Sequence, residues 1–249
     1  MIEVVSDPNE LAKKAVEIFV ASAREAIRTH DRFSVVLSGG STPRKTYERI
    51  ALSEDTRALP WKKIHFFWSD ERMVPPDHPE SNYRMAYEAM LSKLPIPRKN
   101  VHRIRAEFRN PLLVTAQYSK DLVEFFGLGS SPKAPGPDLG FLGLGEDGHT
   151  ASLFPDGRTS GPLNRWVIAP WVDHLRTHRI SMSLEMLNLC KKNVFLVTGE
   201  VKAEALKQVL EERRPLPAHE VRSLSGDPIW LLDRAAASRL SPGTIHQAA

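Results

Sequence analysis

The sequence predicts an α/β protein built on a doubly wound, mostly parallel sheet with helices on both faces. Three observations lead there. Short apolar runs alternate along the chain with segments of helical periodicity, the order that builds β-α-β units. Several runs are apolar almost throughout, as strands covered on both faces are. Four of them give way at once to small, polar or charged residues, as strands do where their carboxyl ends open onto a ligand crevice.

The first helix is expected at Pro8–His30. Asp7 can cap it, Pro8 suits its first position, and Leu11, Ala15, Phe19, Ala23 and Ile27 draw one apolar stripe. Strands follow at Phe33–Leu37 and Ile64–Trp68, with a helix at Pro43–Leu52 between them. Helices are expected at Asn82–Leu94 and Pro111–Phe126, the latter capped by Asn110 and stopped by Gly127. The runs Leu139–Leu142, Trp166–Ala169, Ile180–Leu184, Val194–Val197 and Ile229–Leu232 read as further strands, and Val201–Arg214 as a helix. Gly127–Pro137 and Arg214–Glu220 read as surface loops. The alternation continues across both without a change of composition, so one domain spanning 1–249 is expected.

Composition narrows the class. Hydrophobic residues make up 41% of the 249 and charged residues 26%, ordinary for a protein with a real core. A net charge of +4, from 34 basic and 30 acidic side chains dispersed among one another, argues against nucleic-acid binding. No apolar run is long enough to cross a bilayer, and the N-terminus has no signal-peptide pattern. The single cysteine, Cys190, cannot form an internal disulfide. These features predict a cytoplasmic protein, without membrane attachment, acting as a monomer or small homo-oligomer. Metal binding is not expected: His174 and His178 stand four apart without an accompanying glutamate, and Pro170 interrupts any helix that would align them.

The chemistry collects in four segments that follow strands. Ser38, Gly39, Gly40, Ser41 and Thr42 lead into Pro43 and a helix. Glycines admit a ligand close to the backbone, and a helix N-terminus favours an anion. The same residues equally describe a plain strand-to-helix turn with a capping threonine. Ser69-Asp70-Glu71-Arg72 ends in a guanidinium that can grip phosphate, or else pair with Asp70 or Glu71. Thr198–Lys202 places Lys202 on the first turn of a helix, where a cation opposes the helix dipole unless an anion is bound; a solvated surface lysine is the plainer reading.

Gly143–Thr150 is the most informative segment. It is a glycine-punctuated turn containing Asp147-Gly148-His149. Histidine is the usual general base near neutral pH, and a carboxylate two residues away can orient the imidazole. The alternative is a turn in which Asp147 caps the next short helix. No serine or cysteine stands in a nucleophile-elbow context, which favours an activated water over a covalent intermediate.

Taken in order, these segments resemble the 6-phosphogluconolactonases. Ser38-Gly39-Gly40-Ser41-Thr42-Pro43 is similar to that family's first motif, and Asp70-Glu71-Arg72-Met73-Val74-Pro75 with Ser81-Asn82-Tyr83-Arg84 to its second. Gly143 to Pro155 resembles the third almost in full, Thr198-Gly199-Glu200-Val201-Lys202 the fourth, and Trp230 to Ala236 the closing segment. The resemblance spans roughly Leu37 to Ala236. It implies a Rossmann-like fold shared with glucosamine-6-phosphate deaminases and ribose-5-phosphate isomerases. It also implies a phosphorylated sugar lactone as substrate, His149 as base, Asp147 as its orienting partner, and Arg72 and Lys202 as phosphate or substrate contacts. No cofactor is implied.

The nearest alternative is the deaminase. There the Asp-Gly-His segment runs on through Asn-Glu-Pro, with a catalytic glutamate, whereas this chain reads Leu153-Phe154-Pro155. Its Asp-Glu-Tyr is Asp-Glu-Arg here. Phenylalanine cannot relay a proton, so both departures favour the lactonase. A non-catalytic sugar-phosphate sensor is the remaining class, although no DNA-binding segment accompanies the domain.

Overall fold

The structure, a computed structural model, describes residues 1–129, 136–155, 165–173 and 176–246. Eleven strands are described: β1 (Ile2–Val5), β2 (Phe33–Leu37), β3 (Ile64–Trp68), β4 (Asp70–Arg72), β5 (Val101–His102), β6 (Leu139–Leu142), β7 (Val167–Ile168), β8 (Trp171–Val172), β9 (Thr177–Met182), β10 (Lys192–Val197) and β11 (Ile229–Asp233). Seven of them form one sheet in the order β1-β11-β10-β6-β2-β3-β5, and every pairing in it is parallel.

The order explains where a ligand can enter. From β2 the chain proceeds outward through β3 to β5, then returns to the other side of β2 at β6 and continues outward to β10 and β11. The direction of winding therefore reverses between β2 and β6. At such a reversal the loops leaving the two strands diverge and leave a crevice at their carboxyl ends. Ser38 follows β2 and Gly143 follows β6.

Helices cover both faces. Phe33 lies opposite Ile64 in the β2–β3 register, so Phe33 and Phe67 belong to opposite faces of the sheet. On the first face Phe19 of helix α1 (Pro8–His30) meets the Phe33 ring edge-on, with centroids 5.3 Å apart. On the second, Phe125 and Phe126 of a helix at Pro111–Phe126 pack on Phe67. β2 and β6 are buried along their whole length, which is why they read as unbroken apolar runs.

Local signals account for most helix ends. Asp7 accepts the N–H groups of Asn9 and Glu10 at the start of α1. Asn110 does the same for Leu112 and Leu113, and Gly127, at φ 66°, closes the Pro111–Phe126 helix. Helix α2 (Ser41–Leu52) begins two residues before the expected Pro43, because Gly40 turns the chain at φ 106° and acts as its cap. α3 (Glu54–Arg57) follows it directly. α4 (Asn82–Ala89) stops five residues short of Leu94 and gives way to a 3₁₀ turn at Leu91–Lys93. Leu94, which precedes Pro95, is extended, as a residue before proline should be. The Pro111–Phe126 helix is α5. α6 (Leu184–Asn188) takes up Leu184, which had read as strand. α7 (Ala203–Leu210) is preceded by a 3₁₀ turn at Glu200–Lys202, so the expected Val201–Arg214 helix is shorter at both ends. α8 (Pro217–Glu220) is a single turn inside the expected Arg214–Glu220 loop, and α9 (Pro242–His246) lies near the C-terminus. Of the other expected loop, residues 130–135 lie outside the described residues.

The main departure concerns Trp166–Ala169 and Ile180–Leu184, which do not join the parallel sheet. They supply β7 and β9 of a second, antiparallel sheet in the order β4-β9-β7, with β8 also pairing to β9. The chain between β7 and β9 is too short for a helical crossover, and a short return permits only antiparallel pairing. Ser69 links the sheets: its N–H donates to Leu37 O and its carbonyl accepts Met182 N–H. β4 is thus the continuation of β3, turned onto a second layer beside the mouth of the crevice. No described helix is long and apolar enough to cross a membrane.

Candidate functional site

Four loops meet at the carboxyl edge of the parallel sheet. The β2–α2 turn begins at Ser38, whose N–H donates to Tyr47 Oη while the Tyr47 hydroxyl donates to Ser38 O, both at 2.9 Å. This exchange pins the start of the turn to the buried face of α2. Gly39 then passes so close to Asn82 that a Cβ there would lie 2.0 Å from Asn82 Oδ1. Only glycine fits. Gly40 follows in the left-handed region and opens α2, with Ser41 and Thr42 as its first helical residues.

β4 brings two carboxylates of opposite use. Glu71 is 2% exposed and accepts the N–H groups of Arg72, Asn82 and Tyr83 at 2.8 Å each, plus the Ser81 hydroxyl at 3.0 Å. It anchors the N-terminus of α4. Burial raises its carboxyl above the ordinary range, and these four donors pull the other way. Asp70 faces the crevice instead. Ser152 Oγ donates to it at 2.8 Å, and Asn82 Nδ2 donates to its carbonyl at 2.9 Å.

Arg72 does not make the ion pair with Asp70 or Glu71 that its sequence neighbours allow. Its Nη1 donates to Glu80 O at 2.6 Å. Its Nε is buried and has no hydrogen-bond partner among the described residues; the same is true of Ser38 Oγ. Both residues line one cavity of about 110 Å³ together with Gly39, Gly40, Asp70, Asn82, Gly143 and Ala151. A buried polar atom without a partner is costly, and here two of them belong to residues that line one small cavity.

The third loop carries the titratable pair. His149 Nδ1 donates to Asp147 Oδ1 at 2.6 Å, and the same oxygen accepts the His149 backbone N–H at 3.1 Å. Burial tends to raise the Asp147 carboxyl, but these bonds and the imidazole charge outweigh it and hold the group below its ordinary 3.8. The geometry leaves Nε2 as the free ring nitrogen. Gly145 N–H donates to His149 O at 2.8 Å, and a Cβ at Gly145 would lie 2.0 Å from His149 Nδ1. The loop can therefore close only over a glycine. Gly148, at φ 83°, rests on Leu216, and its carbonyl accepts Ala218 N–H from α8. The Phe154 ring lies against His149 with centroids 4.8 Å apart.

The fourth loop, after β10, joins the first and third. Thr198 Oγ1 and Thr42 Oγ1 share a hydrogen bond at 2.6 Å. Lys202, on the 3₁₀ turn ahead of α7, lies 3.6 Å from Glu146 Oε1. All four segments singled out in the sequence thus stand at one sheet edge, with Arg72 and Ser38 on the cavity and Lys202 beside the His149 loop.

Sequence reasoning missed Asp70, Asn82 and Ala151. Asn82 reads as an ordinary helix start, and its part in shaping the Gly39 turn depends on a contact 43 positions away. Ala151 lines the cavity at φ 50°, a strained setting for a residue with a Cβ. Signals were available: Asp70 is an acidic residue two positions beyond an apolar strand, and Asn82 and Ala151 fall within the segments that resemble the family's second and third motifs. Among the described residues no His, Cys, Asp and Glu cluster has the makings of a metal site; His174 lies outside those residues, and His178 Nδ1 donates to Ala169 O.

Known proteins resemble this chain in sequence and fold. A family model described as glucosamine-6-phosphate isomerases/6-phosphogluconolactonase matches residues 6–230. A 6-phosphogluconolactonase of Nostoc sp. is 37% identical over 243 residues, covering 96% of this chain and 98% of that protein. The structure of a 6-phosphogluconolactonase from Trypanosoma cruzi superposes with a TM-score of 0.82 at 28% identity, covering 96% of each chain. A monomeric glucosamine-6-phosphate deaminase superposes with a TM-score of 0.79 at 20% identity, over 96% of this chain and 99% of that one. The last likeness concerns the fold alone.

Proposed function

The chain belongs to the family of glucosamine-6-phosphate isomerases and 6-phosphogluconolactonases, and on that premise we propose how its residues open a sugar-phosphate lactone. The reaction is hydrolysis of 6-phospho-D-glucono-1,5-lactone to 6-phosphogluconate, a step of the oxidative pentose phosphate pathway. His149 is the general base and Asp147 its orienting partner. The phosphate sits against Ser38–Thr42, with Arg72 and Lys202 supplying positive charge.

The observation that carries this reading is the Asp147–His149 bond. With Nδ1 donating to the carboxylate, Nε2 takes a proton from water as the water oxygen attacks the lactone carbonyl carbon. Asp147 steadies the imidazolium that results. When the tetrahedral intermediate collapses, the bond from carbon to the ring oxygen breaks. The proton on Nε2 passes to that oxygen and restores the base. The phosphate, held by the β2–α2 turn, keeps the carbonyl within reach. Ser38 Oγ and Arg72 Nε, both buried without partners, supply donors where that anion is placed.

Phe154 favours lactone opening over deamination. Its ring packs at a tilt of 43° against His149, it stands where the deaminase pattern supplies a glutamate, and it has no proton to give. The decisive assay follows opening of freshly generated 6-phosphogluconolactone, corrected for spontaneous hydrolysis, with ammonia release from glucosamine 6-phosphate measured in parallel. Rapid lactone opening without ammonia is expected. Ammonia release would overturn the argument from Phe154, and silence in both assays would leave a sugar-phosphate sensor.

A further inference from the structure

Arg179 is a charged residue for which neither the family motifs nor the reaction above provides a role. In the β4–β9 ladder it stands directly opposite Arg72, while Ser181 stands opposite Asp70. Residues two apart on a strand share a face, and so do directly opposed residues. Asp70 and Arg72 line the cavity beside Ser38, so Arg179 leaves its strand on that same face.

Two like charges opposed in this way destabilise a sheet. Nearby carboxylates do not resolve the conflict. Asp70 is engaged by Ser69, Asn82 and Ser152, and Glu71 by three backbone N–H groups and Ser81. The third, Glu80, offers Arg72 its carbonyl and lies 3.9 Å from His78. Among the described residues, no carboxylate comes within ion-pair distance of either guanidinium. Burial, and then the Arg72 charge, press Arg179 below its ordinary value, against the pull of Asp70, Glu80 and Glu71. Such a pair, with one buried Nε unpartnered, suits a dianion that accepts from both planar forks.

We propose that Arg179 and Arg72 form a two-guanidinium clamp on the substrate phosphate, and that Arg179 sets the preference for the phosphorylated over the unphosphorylated lactone. The clamp rests on the lactonase reading above. It assigns the C6 phosphate to the β4–β9 side of the crevice, with the β2–α2 turn beneath it, and leaves the reacting carbonyl to His149.

The test compares wild type with Arg179→Gln and Arg179→Lys on 6-phosphogluconolactone and on glucono-1,5-lactone, with thermal unfolding followed with and without inorganic phosphate. Arg179→Gln is expected to raise KM for the phosphorylated lactone about tenfold to a hundredfold, with kcat within about threefold of wild type. Kinetics on glucono-1,5-lactone stay as they were. The variant loses most of the phosphate-induced rise in Tm and unfolds no earlier than wild type in phosphate-free buffer, because a repulsion has been removed; Arg179→Lys falls between. An equal loss of kcat on both lactones would overturn the clamp by moving Arg179 to the reacting carbonyl. So would an unchanged KM with an unchanged phosphate shift, or a lower Tm in phosphate-free buffer. If wild type opens neither lactone, the lactonase reading fails, and the phosphate shift alone still decides the clamp.

Discussion

Asp147 and His149 are joined twice through one carboxylate oxygen, which accepts the imidazole Nδ1–H at 2.6 Å and the His149 backbone N–H at 3.1 Å. The second bond fixes the backbone from which the ring projects, so the side chain and its partner move as one unit. A ring held in this way keeps Nδ1 on the carboxylate and Nε2 as its free nitrogen.

Replacing His149 by Asn removes the proton acceptor and keeps a polar side chain. Turnover on 6-phosphogluconolactone is expected to fall by about 10²–10⁴-fold with little change in KM. Steady-state kinetics check this, and near-normal turnover would exclude His149 as the base.

Lys202 and Glu146 are 3.6 Å apart, with the glutamate 68% exposed and the lysine 25%. In the proposed site a substrate phosphate would compete with that carboxylate for the ammonium group. Glu146→Gln is expected to lower KM by up to about fivefold, since exposed pairs are worth ~1 kcal/mol or less. Lys202→Ala is expected to raise KM by about tenfold while kcat changes little. An unchanged KM in Lys202→Ala would remove the lysine from the phosphate site.

Glu71 tests the scaffold instead of the chemistry. Glu71→Ala leaves three backbone N–H groups and the Ser81 hydroxyl without their acceptor at the buried start of α4. A loss of about 2–4 kcal/mol in unfolding free energy is expected. Urea unfolding measures it, and a loss below about 1 kcal/mol would show that water or a rearranged turn takes over.

His65 and His102 set a pH limit on stability. Their rings meet at 3.1 Å from His65 Nδ1 to His102 Nε2. Burial and the neighbouring His65 bring His102 down to about 4, and burial with the charges of Arg32 and Lys99 lowers His65 as well. Between the ordinary 6.5 and about 4, the unfolded chain binds protons that the folded one refuses. Stability should therefore be level above that window and fall as pH drops through it. Partial exposure and screening bring the His102 share to about 1 kcal/mol. His102→Gln should flatten the fall in urea-unfolding curves taken on either side of the window; an identical slope would assign the loss to other groups.

Much of the fold is readable in single positions. Asp7 and Pro8 at one end of α1, and Asn110, Pro111 and Gly127 around α5, place both helices to the residue, because capping depends on local side chains. The five inner strands were visible because both their faces are covered, which makes their sequences continuously apolar. β1, at an edge, and β5, only two residues long, carry too little apolar signal to be seen. β4 was hidden for another reason: its Asp-Glu-Arg is polar throughout, and its burial is made possible by Ser81, Asn82 and Ser152, which lie elsewhere in the chain.

The sequence by itself determined the alternation of apolar strands with helices, the four polar loops that follow strands, and the adjacency of Asp147 and His149. Each depends on residues close together along the chain. Tertiary structure alone decided that Trp166–Ala169 and Ile180–Leu184 form a separate antiparallel layer, that Arg72 leaves its acidic neighbours for the cavity, and that Arg179 stands opposite it. The physical reason is one of range. Caps, turns and periodicity are set by neighbours a few residues away, whereas strand pairing and the neutralisation of buried charge are settled between segments that meet only when the chain has folded.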